Sequence, residues 1–435
     1  MGFVGRKPTN APLTSDDIPN GIISAADLAS GISGLITWQS VKTSGFTAVA
    51  GQGYPCNTTS AAFTVTLPAS PSAGDTIILL DYAGTFDTNK LTISPNGNKI
   101  EGSTSNFELT GEREGATLTY IDSTQGWLES SGINEGTNAL SKSPYTVDFL
   151  VIAGGGSGGG GYQGGGGGGG GYRNSYSTET SGGNGSSEAS LTFTDGTVYT
   201  ITVGAGGAAQ TSSDTQGNDG SNSSISGTGI TTITSTGGGG GGGFTSNGKA
   251  GGSGGGSGRN GTSPQTGGAG TANQGFAGGD GSNVSYISPY SGAGGGGASA
   301  VGTSTNGSTV GNGGNGLASS ITGSSVTRGG GGGGGFYNGV GTSSGGTGGG
   351  GAGANGNSDS PSTYTLSTAG TINTGGGGGG STNAPSNSGA AGGSGVVILR
   401  MPTVSYSGIT TGSPTVSTSG SDTILVYNAS GSYTG

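Results

Sequence analysis

The chain of 435 residues carries 110 glycines, 28% hydrophobic and 8% charged residues, a net charge of −10 and no histidine. So little apolar surface cannot build conventional cores throughout, and so few charges cannot keep a disordered chain expanded by self-repulsion. The missing histidine excludes a Ser-His-Asp triad, a Cys-His pair and a His-liganded metal; the lone Cys56 excludes an intrachain disulfide, and the acidic balance argues against a nucleic-acid partner.

Residues 1–35 are polar, with Pro8, Pro12 and Pro19. One short helix is predicted, Ala25-Ala26-Asp27-Leu28-Ala29 capped by Ser24, and it is too short to be stable without a partner. The opening residues through Arg6 and Lys7 are not followed by the apolar stretch of a signal peptide. No run approaches the roughly 20 apolar residues of a membrane helix.

Residues 36–132 read as a small antiparallel β domain. Phe63, Val65 and Leu67 alternate with Thr64 and Thr66, Thr76-Ile77-Ile78-Leu79-Leu80 follows, then Leu91 with Ile93, and Leu118 with Tyr120 ahead of Trp127. Pro95-Asn96-Gly97-Asn98 predicts a two-residue hairpin turn, because Asn-Gly tolerates the positive φ angles it demands. Glu108, Glu112, Arg113 and Glu114 are expected on a solvated turn, and 133–143 as a linker.

Residues 144–401 form the glycine-rich domain, with eight glycines at 164–171 and seven each at 237–243 and 329–335. Its two most apolar stretches, 145–153 and Val396-Val397-Ile398-Leu399-Arg400, are expected to pair and close it. Between them a unit recurs: a small-polar turn, a Ser/Thr/Ile segment, a glycine run and a loop, which suggests stacked layers. Collagen needs glycine at every third position with proline between, and a plain linker has no use for Ile225, Ile230 and Ile233. The ordered option is extended polyglycine of the polyproline-II type. Strands without side chains can exchange backbone hydrogen bonds on several sides, and a run of seven or eight would span roughly 22 to 25 Å. Residues 402–435 read as a C-terminal β segment. The predicted class is therefore all-β, with a polar N-terminal segment, a small β domain and a layered β/polyglycine domain.

Several glycine runs end on aromatic residues. Tyr172, Arg173 and Tyr176 follow one run, Phe244 and Asn247 another, Phe336, Tyr337 and Asn338 a third, and Tyr286 and Tyr290 make a further aromatic loop. Aromatics beside Ser, Asn and Gly suit recognition loops; the alternative is that the rings fold back as plugs over the glycine layers. Asp219-Gly220-Ser221-Asn222 and Asp280-Gly281-Ser282-Asn283 offer oxygen ligands for Ca²⁺, and turn formation explains them equally and is favoured. The scattered acids Asp195, Asp214, Asp219, Asp280 and Asp359 show no pairing, so neither catalysis nor a cofactor is expected.

Three stretches resemble bacteriophage tail fibre proteins of the marine phage type. They are GRKPTNAPLTSDDIPNGIISAADLA from Gly5, TWQSVKTSGFTAVAGQGYPCNTTSAAFTVTLP from Thr37 with the later EGATLTYIDSTQGW, and VDFLVIAGGGSGGGG through GGSGVVILR. The resemblance implies a homotrimeric virion fibre made in the host cytoplasm. Its N-terminus, including Arg6, Lys7, Pro8, Leu13, Ile18 and Leu28, would dock on a tail adaptor or nozzle protein. The glycine-rich part would face the host and adhere to a surface polysaccharide or outer-membrane protein. The alternative within the same resemblance is a non-adhesive appendage of head, neck or tail.

Overall fold

The computed structural model describes residues 36–132, 141–259, 263–281, 290–306, 309–337, 342–356, 364–382 and 388–435. The predicted helix at 25–29, the docking candidates Arg6, Lys7, Pro8, Leu13, Ile18 and Leu28, and the loop candidates Tyr286 and Asn338 lie outside these residues. The described chain is all-β, with one 3-10 turn at Thr403–Ser405, and divides into two units, Met1–Ser143 and Pro144–Gly435.

In the first unit the strands are β1 (Thr37–Trp38), β2 (Phe46–Thr47), β3 (Gln52–Cys56), β4 (Phe63–Thr66), β5 (Thr76–Asp81), β6 (Leu91–Ser94), β7 (Phe107–Leu109), β8 (Gly115–Asp122), β9 (Gly126–Gly132) and β10 (Ser141–Lys142). They form two sheets ordered β1-β3-β5-β8-β9 and β10-β7-β6-β4-β2. The first six strands alternate between the sheets and pair in parallel, β1 with β3 with β5 and β2 with β4 with β6, as turns of a flattened coil. Only β7 to β10 add antiparallel. The expectation of a wholly antiparallel domain is thus corrected. Alternation of apolar residues reports which face is buried, and Val65, Leu67, Ile77, Leu79, Leu91, Ile93 and Leu118 do face the core. It cannot report that consecutive strands lie in opposite sheets.

The Asn-Gly turn forms, with φ of 52° at Asn96 and 83° at Gly97 and the Asn98 amide donating to Pro95 at 3.1 Å. It does not make a tight hairpin, because β6 pairs with β7 twelve residues further on. The Asn96 and Asn98 side-chain amides instead donate to the Leu67 and Pro68 carbonyls and pin the end of the neighbouring strand. The acidic cluster is corrected in part: Glu112 and Arg113 do lie exposed on a turn, whereas Glu108 and Glu114 do not. Glu108 is buried against Lys90 at 2.6 Å, and Glu114 is buried with its carboxylate accepting the Gly111 amide. Ser141–Lys142 pairs with β7 and so belongs to this unit and not to a linker.

In the second unit β11 (Tyr145–Ile152) and β22 (Val396–Pro402) pair antiparallel from Asp148 with Arg400 to Ile152 with Val396, as their apolar character predicts. Both are covered on two sides. Val147, Phe149, Val151, Val397 and Leu399 face one core, and Leu150, Ile152, Val396 and Ile398 face another. Intervening strands are β12 (Tyr172–Asn174), β13 (Leu191–Phe193), β14 (Val198–Thr202), β15 (Ser223–Gly227), β16 (Ile233–Ser235), β17 (Tyr290–Ser291), β18 (Leu317–Ser319), β19 (Val326–Arg328), β20 (Phe336–Tyr337) and β21 (Asn355–Gly356). The last are β23 (Thr410–Thr411), β24 (Thr415–Ser419), β25 (Asp422–Tyr427) and β26 (Gly431–Thr434). Residues 402–435 are no separate segment. β25 and β24 extend the β11–β22 sheet, β26 and β23 extend β14, and the Tyr433 and Tyr145 hydroxyls bond at 2.8 Å inside the core.

From these sheets rises a lattice of polyglycine strands. At its centre is the strand 164–171, and its hydrogen bonds repeat every third residue, the period of a polyproline-II helix. The amides of Gly164, Gly167 and Gly170 donate to Ser381, Gly378 and Gly375 at 2.8–3.0 Å. Those of Gly165, Gly168 and Gly171 donate to Gly242, Gly239 and Thr236, and those of Gly166 and Gly169 to Ala293 and Gly296. In return, its carbonyls accept from Gly159, Gly156 and Ala153, from Gly335 and Gly332, and from Gly256 and Ser253. Six strands therefore ring the central one, three as acceptors and three as donors. None of residues 164–171 takes a positive φ, whereas Gly161 at 96° and Gly375 at 67°, where the chain turns, do.

Where the lattice lacks a neighbour, a side chain replaces it. Asp219 Oδ1 accepts the Gly240 amide at 2.8 Å and Asn222 Oδ1 the Gly237 amide at 2.9 Å. Asn312 and Asn315 do the same for Ser344 and Thr347. The spacing of three between such residues matches one turn of the strand they edge.

Candidate functional site

Strand directions define two ends of the lattice. At one end the bonds Gly159–Gly165, Gly164–Ser381, Gly335–Gly164, Arg259–Gln163 and Gly292–Gly335 bring the turning points together. The other end, marked by Ala153–Gly171, Gly171–Thr236 and Gly170–Gly375, runs into β11, β12, β16 and the sheets. The aromatic candidates divide between these ends and do not form one set.

Tyr172, Arg173 and Tyr176 stand at the sheet end. Tyr172 is fully buried in β12 beside Leu150, Ile152 and Ile398, and burial, with the Glu179 charge, pushes its phenol well above the usual value. It cannot meet a receptor. Arg173 is held by Glu188 through Nε at 2.9 Å and Nη2 at 2.5 Å, and Tyr176 lies under the Arg400 guanidinium at 4.8 Å. Arg173, Glu188, Ser181, Ser186, Asn273 and Gln274 line a polar cleft of about 360 Å³. Its charges are satisfied by one another.

Phe244, Asn247, Tyr290, Phe336 and Tyr337 stand at the opposite, loop end. Phe336 is fully buried, with its amide on Ala354 and its carbonyl accepting the Thr382 hydroxyl, so it acts as a plug over the glycine layers and is withdrawn as a contact residue. β20 pairs with β17 and β21, setting Tyr337 opposite Tyr290. One aromatic pair is open to solvent, and a second arrangement beside it is largely covered. Tyr162, 43% exposed, meets the half-buried Phe244 ring edge to face at 5.7 Å. The Arg259 guanidinium lies 4.3 Å over the half-buried Tyr290 ring, Arg259 is itself only 8% exposed, and burial lowers its pKa. Asn247 is exposed, with Oδ1 accepting the Thr266 amide.

Sequence reasoning passed over Tyr162 and Arg259. Tyr162 interrupts a glycine run within Gly-Tyr-Gln-Gly, and that interruption is the signal: a bulky residue is tolerated only where the strand leaves the lattice. Asp219-Gly220-Ser221-Asn222 does not form the favoured turn, and Asp219 and Asn222 use their Oδ1 atoms on the lattice edge. Among the described residues no group of three His, Cys, Asp or Glu could hold a metal ion.

A comparison with curated proteins returned no match. The glycine-rich domain family matches residues 132–402, more than half of the length, and the chain belongs to that family.

Proposed function

We propose that this chain is a phage tail fibre that adheres to a host surface receptor, a non-enzymatic virion protein whose glycine lattice displays recognition loops. The observation that supports the reading is the loop end itself: a backbone-bonded platform with the exposed Tyr162 beside Phe244 at its turning points. Preordered aromatic rings offer contact area at low entropic cost, and glycine strands beneath them leave loop sequence free to vary without disturbing the platform. The tail adaptor, the trimer and the polysaccharide or outer-membrane receptor follow from the sequence resemblance.

The test is adsorption. Purified full chain, added to host cells before the phage that carries it, should bind the cells and reduce adsorption in proportion to occupancy. Tyr162→Ala combined with Phe244→Ala should bind at least about ten-fold more weakly at unchanged thermal stability. A folded sample that neither binds nor competes overturns the adhesive reading and leaves the non-adhesive appendage.

A further inference from the structure

Three segments build the polar cleft at the sheet end. β12 supplies Arg173, the loop 181–188 supplies Ser186 and Glu188, and the turn at 271–274 supplies Ala272, Asn273 and Gln274. Glycines bring these walls together: the Gly182 amide donates to the Tyr172 carbonyl, that of Gly183 to Ala298, and a Cβ on Gly185 would meet Asn273 Cβ at 2.9 Å. The polar groups are held in place before any ligand arrives. Arg173 is fixed by Glu188 and by Nη1 donating to the Thr234 carbonyl at 3.2 Å. Gln274 Oε1 accepts the Thr236 amide at 2.8 Å, which sets the orientation of its side-chain amide and leaves Nε2 to the cleft. Asn273 stands at a φ of 59° with its side chain exposed.

The hydrogen-bonding groups left over point to the class of ligand. Gln274 Nε2, the Asn273 side chain and the Ser186 hydroxyl bond to no described residue, and the Arg173 bonds use one N–H on each nitrogen, leaving a second on both Nη1 and Nη2. Donors therefore outnumber acceptors, which suits ring and hydroxyl oxygens better than the amides of a peptide. Glu188 lies against Arg173 and cancels its charge, so an anion gains no net attraction. Ala272 alone among the lining residues is apolar, so a hydrocarbon gains little. We propose that this cleft binds one ring of an uncharged saccharide. Its hydroxyl oxygens accept from Gln274 Nε2, Asn273 Nδ2 and the spare Arg173 N–H groups, and a hydroxyl proton goes to Asn273 Oδ1 or Ser186 Oγ. The volume of about 360 Å³ falls at the small end of ligand pockets, roughly 300 to 1,000 Å³, as a single ring requires. The site lies at the opposite end of the lattice from Tyr162 and Phe244 and does not rest on the adhesive reading of the loop end.

The experiment is saturation-transfer NMR on the full chain with the methyl glycosides of glucose, galactose, mannose and N-acetylglucosamine, and with D-glucuronate and N-acetylglycinamide for comparison. At least one glycoside should bind in the millimolar range, and glucuronate and the amide more weakly than that glycoside. Gln274→Glu keeps an acceptor for the Thr236 amide and removes the Nε2 donors, whereas Asn273→Gly removes the side chain at a φ that glycine adopts freely. Each should weaken glycoside binding about five-fold or more, the scale of one lost hydrogen bond, with the unfolding midpoint unchanged for Asn273→Gly. Tyr162→Ala combined with Phe244→Ala should leave glycoside binding as it is, so a failure of this site and a failure of the loop end give different results. No transfer to any glycoside, glucuronate or N-acetylglycinamide binding as tightly as the best glycoside, unchanged affinity in either cleft variant, or loss of binding in the loop-end variant overturns the proposal.

Discussion

A methyl group on Gly166 would sit 2.0 Å from the carbonyl oxygen of Gly332, well inside contact distance. The same holds around the strand: a Cβ at Gly165 would meet Gly256 O at 2.0 Å and one at Gly167 would meet Gly156 O at 2.1 Å. These strands are glycine because backbone packs on backbone in every direction, and the obstacle is another main chain that cannot swing aside.

Gly166→Ala should therefore destabilise the glycine-rich unit by more than about 4 kcal/mol or prevent its folding, a loss seen only when buried structure must move. Ser213→Ala, at an exposed turn, should change stability by less than about 0.5 kcal/mol. Chemical denaturation of both variants measures the contrast.

The rim side chains make a separate prediction. Asp219→Ala leaves the Gly240 amide without its acceptor and should cost about 1 kcal/mol, whereas Asp219→Asn keeps Oδ1 and should cost less than half as much. Equal losses for the two substitutions, read in the same denaturation experiment, would show that the bond is not what holds this edge.

In the first unit, burial pushes the Glu114 carboxyl above its ordinary 4.5, against the opposing pull of the Gly111 amide. The folded state then binds this proton more tightly than the unfolded chain. The stability it contributes is full below 4.5 and is lost as pH rises through the folded value. Relative to Glu114→Gln, the wild type should lose stability across that rise. Unfolding midpoints of both proteins measured over the pH range should diverge in this direction.

Cys56 is buried, and its thiol is pushed up to about 12, by burial first and by the Asp81 carboxylate second. Alkylation of the folded protein at pH 8 should be more than about a hundred-fold slower than in denaturant, because the thiolate is the reactive form. Mass spectrometry of the modified chain follows the rate and doubles as a probe of unfolding in the first unit.

How much of this was legible in the sequence depends on what each signal encodes. The β11–β22 pair could be read because a strand buried on both faces must be apolar at every position, and Phe149-Leu150-Val151-Ile152 and Val396-Val397-Ile398-Leu399 are. The lattice could be read because only close backbone contact explains runs of pure glycine. Strand direction could not. Tyr172 and Phe336 both leave glycine runs, yet one leaves downward into the sheets and the other upward onto the lattice, and the shared pattern of an aromatic directly after a glycine run does not tell them apart. The parallel coil of the first unit was hidden for a related reason, since alternating residues mark a face and never name the neighbouring strand. The three-residue spacing of Asp219 with Asn222 and of Asn312 with Asn315 was present in the sequence and is intelligible only once the period of the strand beside it is known.

Amide hydrogen exchange across 153–160 and 164–171 tests the central claim most directly. Every amide from Gly164 to Gly171 donates to a carbonyl within the lattice, so these positions should exchange orders of magnitude more slowly than an unstructured peptide and open only with the unit as a whole. Exchange at the unstructured rate through these two segments would contradict the lattice, and with it the platform that carries Tyr162 and Phe244.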